Sequence, residues 1–412
     1  MFTSPDNSAR AASGFAARML PVLLAALLTA CGGGGGDDHH HPPPYPGGGG
    51  DPGGHAGPSY DVIQLGIPGV YGDITRKSIA NGGVVASTSW GGPDGNPHAF
   101  LYNGTTEVDI GSLGGSWARA QAVTRCGHVT GWSGRADGLS HAFLYDNAMH
   151  DLGTLGGTDS AGSAMGSCGR MTGWAGTADG ATHAYLYDGK TLGDLGSFGG
   201  NSFGLAINGV GQVAGYSYGP GNTWFHAFLY DSRTGAPMQD LGSPGGDSVA
   251  VGINDAGQIA GWWRKGDGPA GAFYYEGGVM RDIGTLGGDY AEATDINQKG
   301  VAVGNSNLKD GAQRGFVYDG KTMTSIGILG SSGYSEAVAI NVNGLVVGSA
   351  SAAMGGEQHA ISWTEKEGIV DLNERLHAPP SGLVVTQALA VADDGNIAVR
   401  TNRGLALLKL RH

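Results

Sequence analysis

Histidine recurs at one position of a pattern repeated along the chain, and a ring of imidazoles could bind a metal or transfer protons. The copies read His-Ala-Phe-Leu-Tyr or a close variant and begin at His98, His141, His183, His226 and His359. A second pattern, Asp-Leu/Ile-Gly-x-x-Gly-Gly, begins at Asp109, Asp151, Asp194, Asp240 and Asp282. A catalytic or metal site is normally asymmetric, whereas these residues return with the repeat. Because a buried polar group needs a partner, we interpret them as hydrogen-bonded His–Asp pairs and assign no catalytic residue, metal or cofactor.

Aromatic residues follow a Val-x-Gly-like segment in four consecutive units only. They are Trp132, Trp174, Tyr216 and Trp262, where other units carry Ser87, Asn305 and Ser349. Such one-sided enrichment suits a platform for sugar rings or apolar side chains, although packing between units is the interpretation that we favour. Two further tryptophans lie in or beside the following loops. The candidate binding residues are Trp132, Trp174, Tyr216, Trp224, Trp262 and Trp263.

Two cysteines occupy equivalent positions in adjacent units. Cys126 and Cys168 each directly precede a turn glycine, Gly127 or Gly169. In an oxidising compartment such a pair predicts a disulfide, provided that the Cα atoms approach to roughly 4.4–6.8 Å. The alternative is that one unit was duplicated from the other and both cysteines remain unpaired.

These residues must be positioned by a repeated all-β unit. Each repeat contains four short segments with strand character, bounded by Gly, Asn or Asp, and four strands in about 40–45 residues are typical of a β-propeller blade. Counting hairpins predicts eight blades, with seven as the alternative. The segment 60–66 matches the otherwise missing fourth strand, so we expect it to complete the last blade, which residues 376–412 begin, and to close the ring.

The anchors His-Ala-Phe at His98, His141 and His226 resemble those of the HAF-repeat proteins, a family of probable extracellular repeat proteins. The resemblance covers residues 60 to about 375 well and the remainder weakly. It implies an extracellular location and a repeat architecture, and it implies no particular reaction because the family has no established activity.

The first 59 residues read as an export signal and a tether. Arg10 and Arg18 precede a short apolar run that is too short to span a bilayer, and the run ends in Leu28-Thr29-Ala30-Cys31. This ending resembles the bacterial lipobox, which implies lipidation of Cys31; an ordinary signal with an incidental cysteine is the alternative. Gly32 favours the outer membrane by analogy with known sorting. The predicted divisions are a signal peptide at 1–30, a low-complexity tether at 31–59 and a propeller at 60–412.

The tether contains histidines that could bind a transition metal, but adjacent residues on a low-complexity chain lack fixed ligand geometry. We therefore interpret the segment as a solvated spacer. Its histidines are His39, His40, His41 and His55.

The net charge and the sequence motifs limit the classes of function that this chain can have. The net charge is −13 and the 23 Lys and Arg residues are scattered, which argues against a nucleic-acid partner. No His-Glu-x-x-His motif of the zinc proteases is present. We expect a monomeric, membrane-anchored binding or interaction module with a glycan or protein ligand; the alternative is a carbohydrate-active hydrolase or lyase. Carboxylates with perturbed pKa values clustered asymmetrically at the propeller centre would favour the enzyme.

Overall fold

A computed structural model describes residues 57–411 except 68, 92, 93, 167, 168 and 354. The predicted signal peptide, Cys31, the tether histidines and Cys168 lie outside the described residues. Within the described part, no helix is long and apolar enough to cross a membrane. The fold is built almost entirely from short antiparallel strands, joined by turns and two 3₁₀ segments, Pro220–Asn222 and Leu372–Arg375.

Each repeat forms one four-stranded blade whose first strand is innermost, where it contacts the first strands of the neighbouring blades. The first strand of the described residues is β1 (Tyr60–Leu65), and blade 1 follows with an innermost strand in two pieces. Blade 1 consists of β2 (Gly72–Asp73), β3 (Ile79–Ala80), β4 (Val84–Ser89), β5 (His98–Asn103) and β6 (Glu107–Asp109), and blade 2 consists of β7 (Gly114–Val123), β8 (Val129–Arg135), β9 (Ser140–Tyr145) and β10 (Met149–Asp151). Blade 3 consists of β11 (Gly156–Met165), β12 (Met171–Thr177), β13 (Thr182–Tyr187) and β14 (Leu192–Asp194), and blade 4 consists of β15 (Ser202–Ile207), β16 (Gln212–Tyr218), β17 (Phe225–Asp231) and β18 (Gln239–Gly242).

The second half of the ring repeats the same order. Blade 5 consists of β19 (Asp247–Ile253), β20 (Ile259–Arg264), β21 (Ala270–Glu276) and β22 (Val279–Asp282), and blade 6 consists of β23 (Gly287–Ile296), β24 (Ala302–Leu308), β25 (Gln313–Tyr318) and β26 (Met323–Ser325). Blade 7 consists of β27 (Ser335–Ile340), β28 (Val346–Ser351), β29 (Gln358–Thr364) and β30 (Gly368–Asp371), and blade 8 consists of β31 (Val385–Val391), β32 (Ile397–Thr401) and β33 (Gly404–Leu410) together with β1. The protein is therefore a β-propeller, and the alternative of seven blades is excluded.

The N-terminal strand closes the ring, as the sequence predicts. β1 pairs antiparallel with β33, from Tyr60 opposite Leu410 to Leu65 opposite Leu405. Both ends of the strand are anchored, since the side chains of Tyr60 and Leu65 are each only 1% exposed. The last blade thus has no unpaired outer edge on β33, and the two ends of the described chain stabilise each other.

The hydrophobic core is divided among the interfaces between blades. Eight clusters of buried residues fall within the described chain, and each joins two consecutive blades, including blades 8 and 1. The alanine of the His-Ala-Phe anchor is fully buried at Ala142, Ala184 and Ala227. A small side chain at this position lets the adjacent blade approach closely, which explains why the repeat retains alanine there.

The Asp-x-Gly anchor forms a turn at the outer strand. A serine from the next blade forms hydrogen bonds both to this turn and to the third strand of the same blade. Asp194 accepts a hydrogen bond from the Gly196 N–H at 2.7 Å, and Gly196 has a φ of +75°, a conformation that favours glycine. Ser202, at the start of the next innermost strand, accepts from the Ala184 N–H at 2.8 Å and donates to the Gly196 carbonyl at 2.6 Å. The same link recurs at Ser160, Ser248 and Ser335.

The Ile-Asn anchor joins blades around the opposite end of the propeller. The side-chain amide of Asn208 donates to the Asn254 carbonyl at 2.9 Å, and that of Asn254 donates to the Asn297 carbonyl at 3.1 Å. The series continues from Asn297 to Asn341 and from Asn341 to Ala392. Blades 4 to 8 are thereby linked in sequence by buried hydrogen bonds.

Replacing Ser202 with alanine should destabilise the fold, because the Ala184 N–H and the Gly196 carbonyl would lose their buried partner. Leaving buried polar groups unpaired costs about 1–3 kcal/mol. Urea denaturation should show this loss for Ser202→Ala and little change for Ser381→Ala, which alters an exposed loop serine. Equal stability of the two variants would contradict a role for the serine links.

Candidate functional site

The recurring histidines each lie beside an aspartate of the same blade. The Nδ1–Oδ distances are 2.8 Å for His98 and Asp109, 2.7 Å for His141 and Asp151, 3.0 Å for His183 and Asp194, 3.1 Å for His226 and Asp240, and 2.5 Å for His359 and Asp371. Blade 5 carries glycine in place of this histidine, and its Asp282 accepts only from the Gly284 N–H among the described residues. The pairs connect the third strand to the outermost strand or the residues at its end, away from the axis.

Strand register identifies equivalent residues of the first and second strands in all eight blades. The reference point is the third-strand position that alanine occupies in most blades. In every blade, the residue paired with it on the second strand is selected first, and then the residue of the innermost strand that pairs with that second-strand residue. By this criterion the blade 1 counterpart of Trp132 is Thr88, which pairs with Ala99; the sequence alignment to Ser87 was wrong by one residue. We call these two sets the inner ring and the second ring. From blade 1 to blade 8 the inner ring is Asp73, Arg119, Ala161, Phe203, Val249, Glu292, Glu336 and Gln387, and the second ring is Thr88, Trp132, Trp174, Tyr216, Trp262, Asn305, Ser349 and Arg400.

The two rings are chemically one-sided. Blades 3 to 5 contribute apolar or aromatic residues at both positions, whereas blades 6 to 8 and blade 1 contribute polar or charged residues at both. Side chains that pair across antiparallel strands share a face of the sheet, so the two residues of each blade lie side by side; in the polar half, Thr88, Asn305 and Ser349 of the second ring are buried beside their inner-ring partners. A structural requirement of the fold alone would recur in all blades.

The apolar half is a chain of contacting aromatic rings. Trp174 lies 6.3 Å from Phe203, Phe203 stacks on Tyr216 at 5.0 Å, Tyr216 meets Phe225 at 5.5 Å, and Phe225 meets Trp262 at 6.3 Å, between ring centroids. All five side chains remain partly exposed. We call this surface the aromatic wall; it comprises Trp174, Phe203, Tyr216, Tyr218, Phe225 and Trp262.

The other three aromatic candidates are placed differently. Trp132 lies in blade 2, where its ring centroid is 5.6 Å from the Arg119 guanidinium. Trp224 contacts His226 at 4.6 Å and therefore lies toward the outer strands. Trp263 packs into the cluster between blades 4 and 5, directly over Gly271, where an added Cβ would collide with its ring. Trp263 is thus a packing residue.

Two carboxylates belong to the polar half, Glu292 of blade 6 and Glu336 of blade 7. Burial raises the pKa of Glu292, and burial together with the nearby Glu292 charge raises the pKa of Glu336. Glu336 accepts from the Ser349 hydroxyl at 2.9 Å, and Tyr290 and Asn305 neighbour Glu292. The repeated sequence motifs give no sign of these glutamates, since neither belongs to a repeated anchor, but the register of the innermost strands identifies both.

Two cations cross the axis between the halves. Residues 74–78 interrupt the innermost strand of blade 1 and carry Arg76 and Lys77 inward. Arg76 Nη2 donates to the Val251 carbonyl of blade 5 at 2.9 Å, and Lys77 Nζ donates to the Leu205 carbonyl of blade 4. Asp295 of blade 6 lies near both cations. Burial and the adjacent Arg76 charge lower the pKa of Lys77 to about 7.

The remaining predicted sites are less informative. Cys126 is exposed in its turn, and because Cys168 lies outside the described residues, the disulfide remains a prediction. Among the described residues, no three His, Cys, Asp or Glu side chains are placed to hold a metal ion.

Comparison with known proteins finds no matching family model and no matching curated protein. Solved structures with a similar arrangement include a puromycin-hydrolyzing peptidase of Mycobacterium tuberculosis, with a TM-score of 0.45 and 11% identity over 75% of this chain; only 54% of the peptidase is covered. They also include the BP39L lectin of Burkholderia pseudomallei, at 0.41 and 9% over 73% of this chain and 97% of the lectin. A variant of the Aleuria aurantia lectin in complex with Fucα1-6GlcNAc gives 0.33 and 14%, over 76% and 97%. Similarity at this level carries no information about activity or ligand.

The low pKa of Lys77 makes a prediction about stability and pH. The unfolded chain, with an ordinary lysine pKa of 10.5, binds this proton more tightly than the folded chain does. The free energy of unfolding should therefore gain a contribution from Lys77 as the pH rises above about 7. Between pH 7 and 9, Lys77→Met should flatten this rise, as measured by urea denaturation. The exposed Lys299→Met should leave the profile unchanged, and a Lys77→Met profile parallel to the wild type would contradict the account.

Proposed function

We propose that the protein is a binding module that holds a saccharide at the propeller axis. The observation that carries this proposal is the aromatic wall of blades 3 to 5, which faces polar side chains of blades 6 to 8 across the axis. A sugar ring has an apolar C–H face that stacks on aromatic rings and hydroxyl groups that need hydrogen-bond partners. Ligand sites commonly combine such an apolar surface with a few polar groups that fix orientation.

The polar half offers groups suited to sugar hydroxyls. The carboxylates of Glu292 and Glu336 are acceptors, and the partly exposed Gln387 offers both donors and an acceptor. Glu336 is fixed by Ser349, and Gln358 in turn donates to the Ser349 hydroxyl at 2.9 Å. Side chains held in this way lose little additional freedom when a ligand binds, which favours affinity.

A glycoside-cleaving enzyme is the second candidate, and the two glutamates favour it. Most glycosidases use a pair of carboxyl groups, one of them with a raised pKa. Glu292 and Glu336 stand on neighbouring innermost strands and both have raised pKa values. We rank binding first because the aromatic wall supports either function, whereas Glu336 already accepts hydrogen bonds from Ser349 and Gln313.

Removing two aromatic side chains near the axis should weaken saccharide binding without unfolding the protein. For a ligand identified on a saccharide array, Trp132→Ala with Trp174→Ala should raise the Kd at least about tenfold, which corresponds to about 1.4 kcal/mol. Isothermal titration calorimetry measures the change, and Trp224→Ala, which lies toward the outer strands, is the control.

If the double variant binds with unchanged affinity and Trp224→Ala loses binding, the binding site lies away from the axis.

Incubation of the same oligosaccharide with the wild type distinguishes the two candidate functions. New reducing ends that disappear in Glu292→Gln would establish the enzyme.

We further propose that the chain is an exported lipoprotein anchored to the cell envelope through Cys31, with residues 31–59 as a tether. The support is the apolar run followed by Leu28-Thr29-Ala30-Cys31 and the resemblance to HAF-repeat proteins. Two or more acyl chains give stable anchoring where one gives marginal binding. A tethered propeller could then reach glycans of the envelope.

Cys31→Ala should abolish lipidation, because it removes the acceptor sulfur. Labelled fatty acid should be incorporated into the wild type and into Cys126→Ala but not into Cys31→Ala, and the last variant should leave the membrane fraction. Incorporation into Cys31→Ala at the wild-type level would disprove the anchor.

A further inference from the structure

Arg119 of the inner ring is held by three tryptophans. Its guanidinium carbon lies 4.0 Å from the centroid of Trp90, 5.6 Å from that of Trp132 and 6.0 Å from that of Trp117. Trp90 belongs to blade 1 and the other two to blade 2, so the arrangement exists only in the assembled ring. Stacking on aromatic faces holds a guanidinium in place while leaving the N–H groups at its edge available.

The donors of Arg119 have no partner within the described chain. Its Nε is buried and unpaired, and no hydrogen bond or ion pair joins its other nitrogens to a described residue. Arg400, the other arginine of the two rings, also has a buried, unpaired Nε, but both of its terminal nitrogens have partners. It donates to Gln387 at 3.3 Å and to the Gly72 carbonyl at 3.2 Å, and it lies 3.9 Å from Asp73.

An unpaired arginine in partly desolvated surroundings is costly for the folded protein. Burial lowers the pKa of Arg119, and the charge of Asp73 offsets this only in part. Arginine presents a planar fork of donors that matches a carboxylate in two parallel hydrogen bonds. A site that keeps this fork open beside a surface for sugar rings is suited to a sugar that carries a carboxylate.

We propose that Arg119 binds the carboxylate of a uronate-containing saccharide. This inference rests on the proposed saccharide-binding function and specifies its ligand class. Glu292 and Glu336 lie on the far side of the axis, where they would repel a ligand anion, whereas Asp73, the acidic group near Arg119, lies 3.9 Å from the Arg400 cation. The ligand carboxylate is therefore directed to blade 2, with the sugar ring toward the aromatic wall and the hydroxyls toward blades 6 and 7.

The test compares a galacturonate trisaccharide with its methyl ester, which has the same ring atoms but no charge. Calorimetry with the full chain at one salt concentration should give at least tenfold tighter binding of the acid. Arg119→Ala should remove that preference and leave ester binding within about twofold, and Arg119→Lys should retain part of it. Arg125→Ala, in an exposed turn of the same blade, should behave as the wild type, and thermal melting checks that each variant folds.

The outcomes separate the two proposals. Equal binding of acid and ester by the wild type, or a preference that persists in Arg119→Ala, would overturn the role of Arg119 while leaving saccharide binding intact. Tighter binding of a sulfated trisaccharide than of the uronate would overturn the carboxylate assignment. Failure of the wild type to bind these or any neutral saccharide would overturn both proposals.

Discussion

No blade of this protein can bury its own core, because each is a single small sheet whose two faces require neighbours. The eight apolar clusters accordingly lie between blades rather than within them, and the ring stands only if it is complete. Closure depends on Tyr60–Leu65, which covers the edge of the last blade and brings the two ends of the described chain together. The serine and asparagine links add hydrogen bonds at the same interfaces.

The candidate site arises where this repetition is broken. Alanine, serine and the Asp-x-Gly turn recur because every interface needs them, but the ring positions around the axis differ from blade to blade. Blades 3 to 5 present aromatic rings, blades 6 and 7 present Glu292 and Glu336, and blade 1 sends Arg76 and Lys77 across the centre. A scaffold held rigid by its interfaces can vary such positions freely, which is how one fold accommodates unrelated functions.

The sequence predicted the architecture well because its signals are local and repeated. Strand-sized segments, turn glycines and the matching fourth strand at Tyr60–Leu65 gave the blade number and the closure, and the clustering of aromatics pointed to the blades that carry the aromatic wall. The site was only half predicted. Glu292 belongs to no repeated anchor, and the tryptophans that stack on Arg119 come from two blades. Both features depend on strand register, which no motif encodes. Trp263, by contrast, has the right residue type but packs into an interface.

The central claim is that the axis, where the repeat departs from symmetry, is the ligand site. A crystal structure of the protein with a bound uronate oligosaccharide tests it most directly. The account predicts density for a sugar ring against Trp174 and Phe203, with a carboxylate at Arg119. Density instead in the groove between the outer strands of blades 2 and 3, beside His150 and Tyr187, with none at the axis, would contradict it.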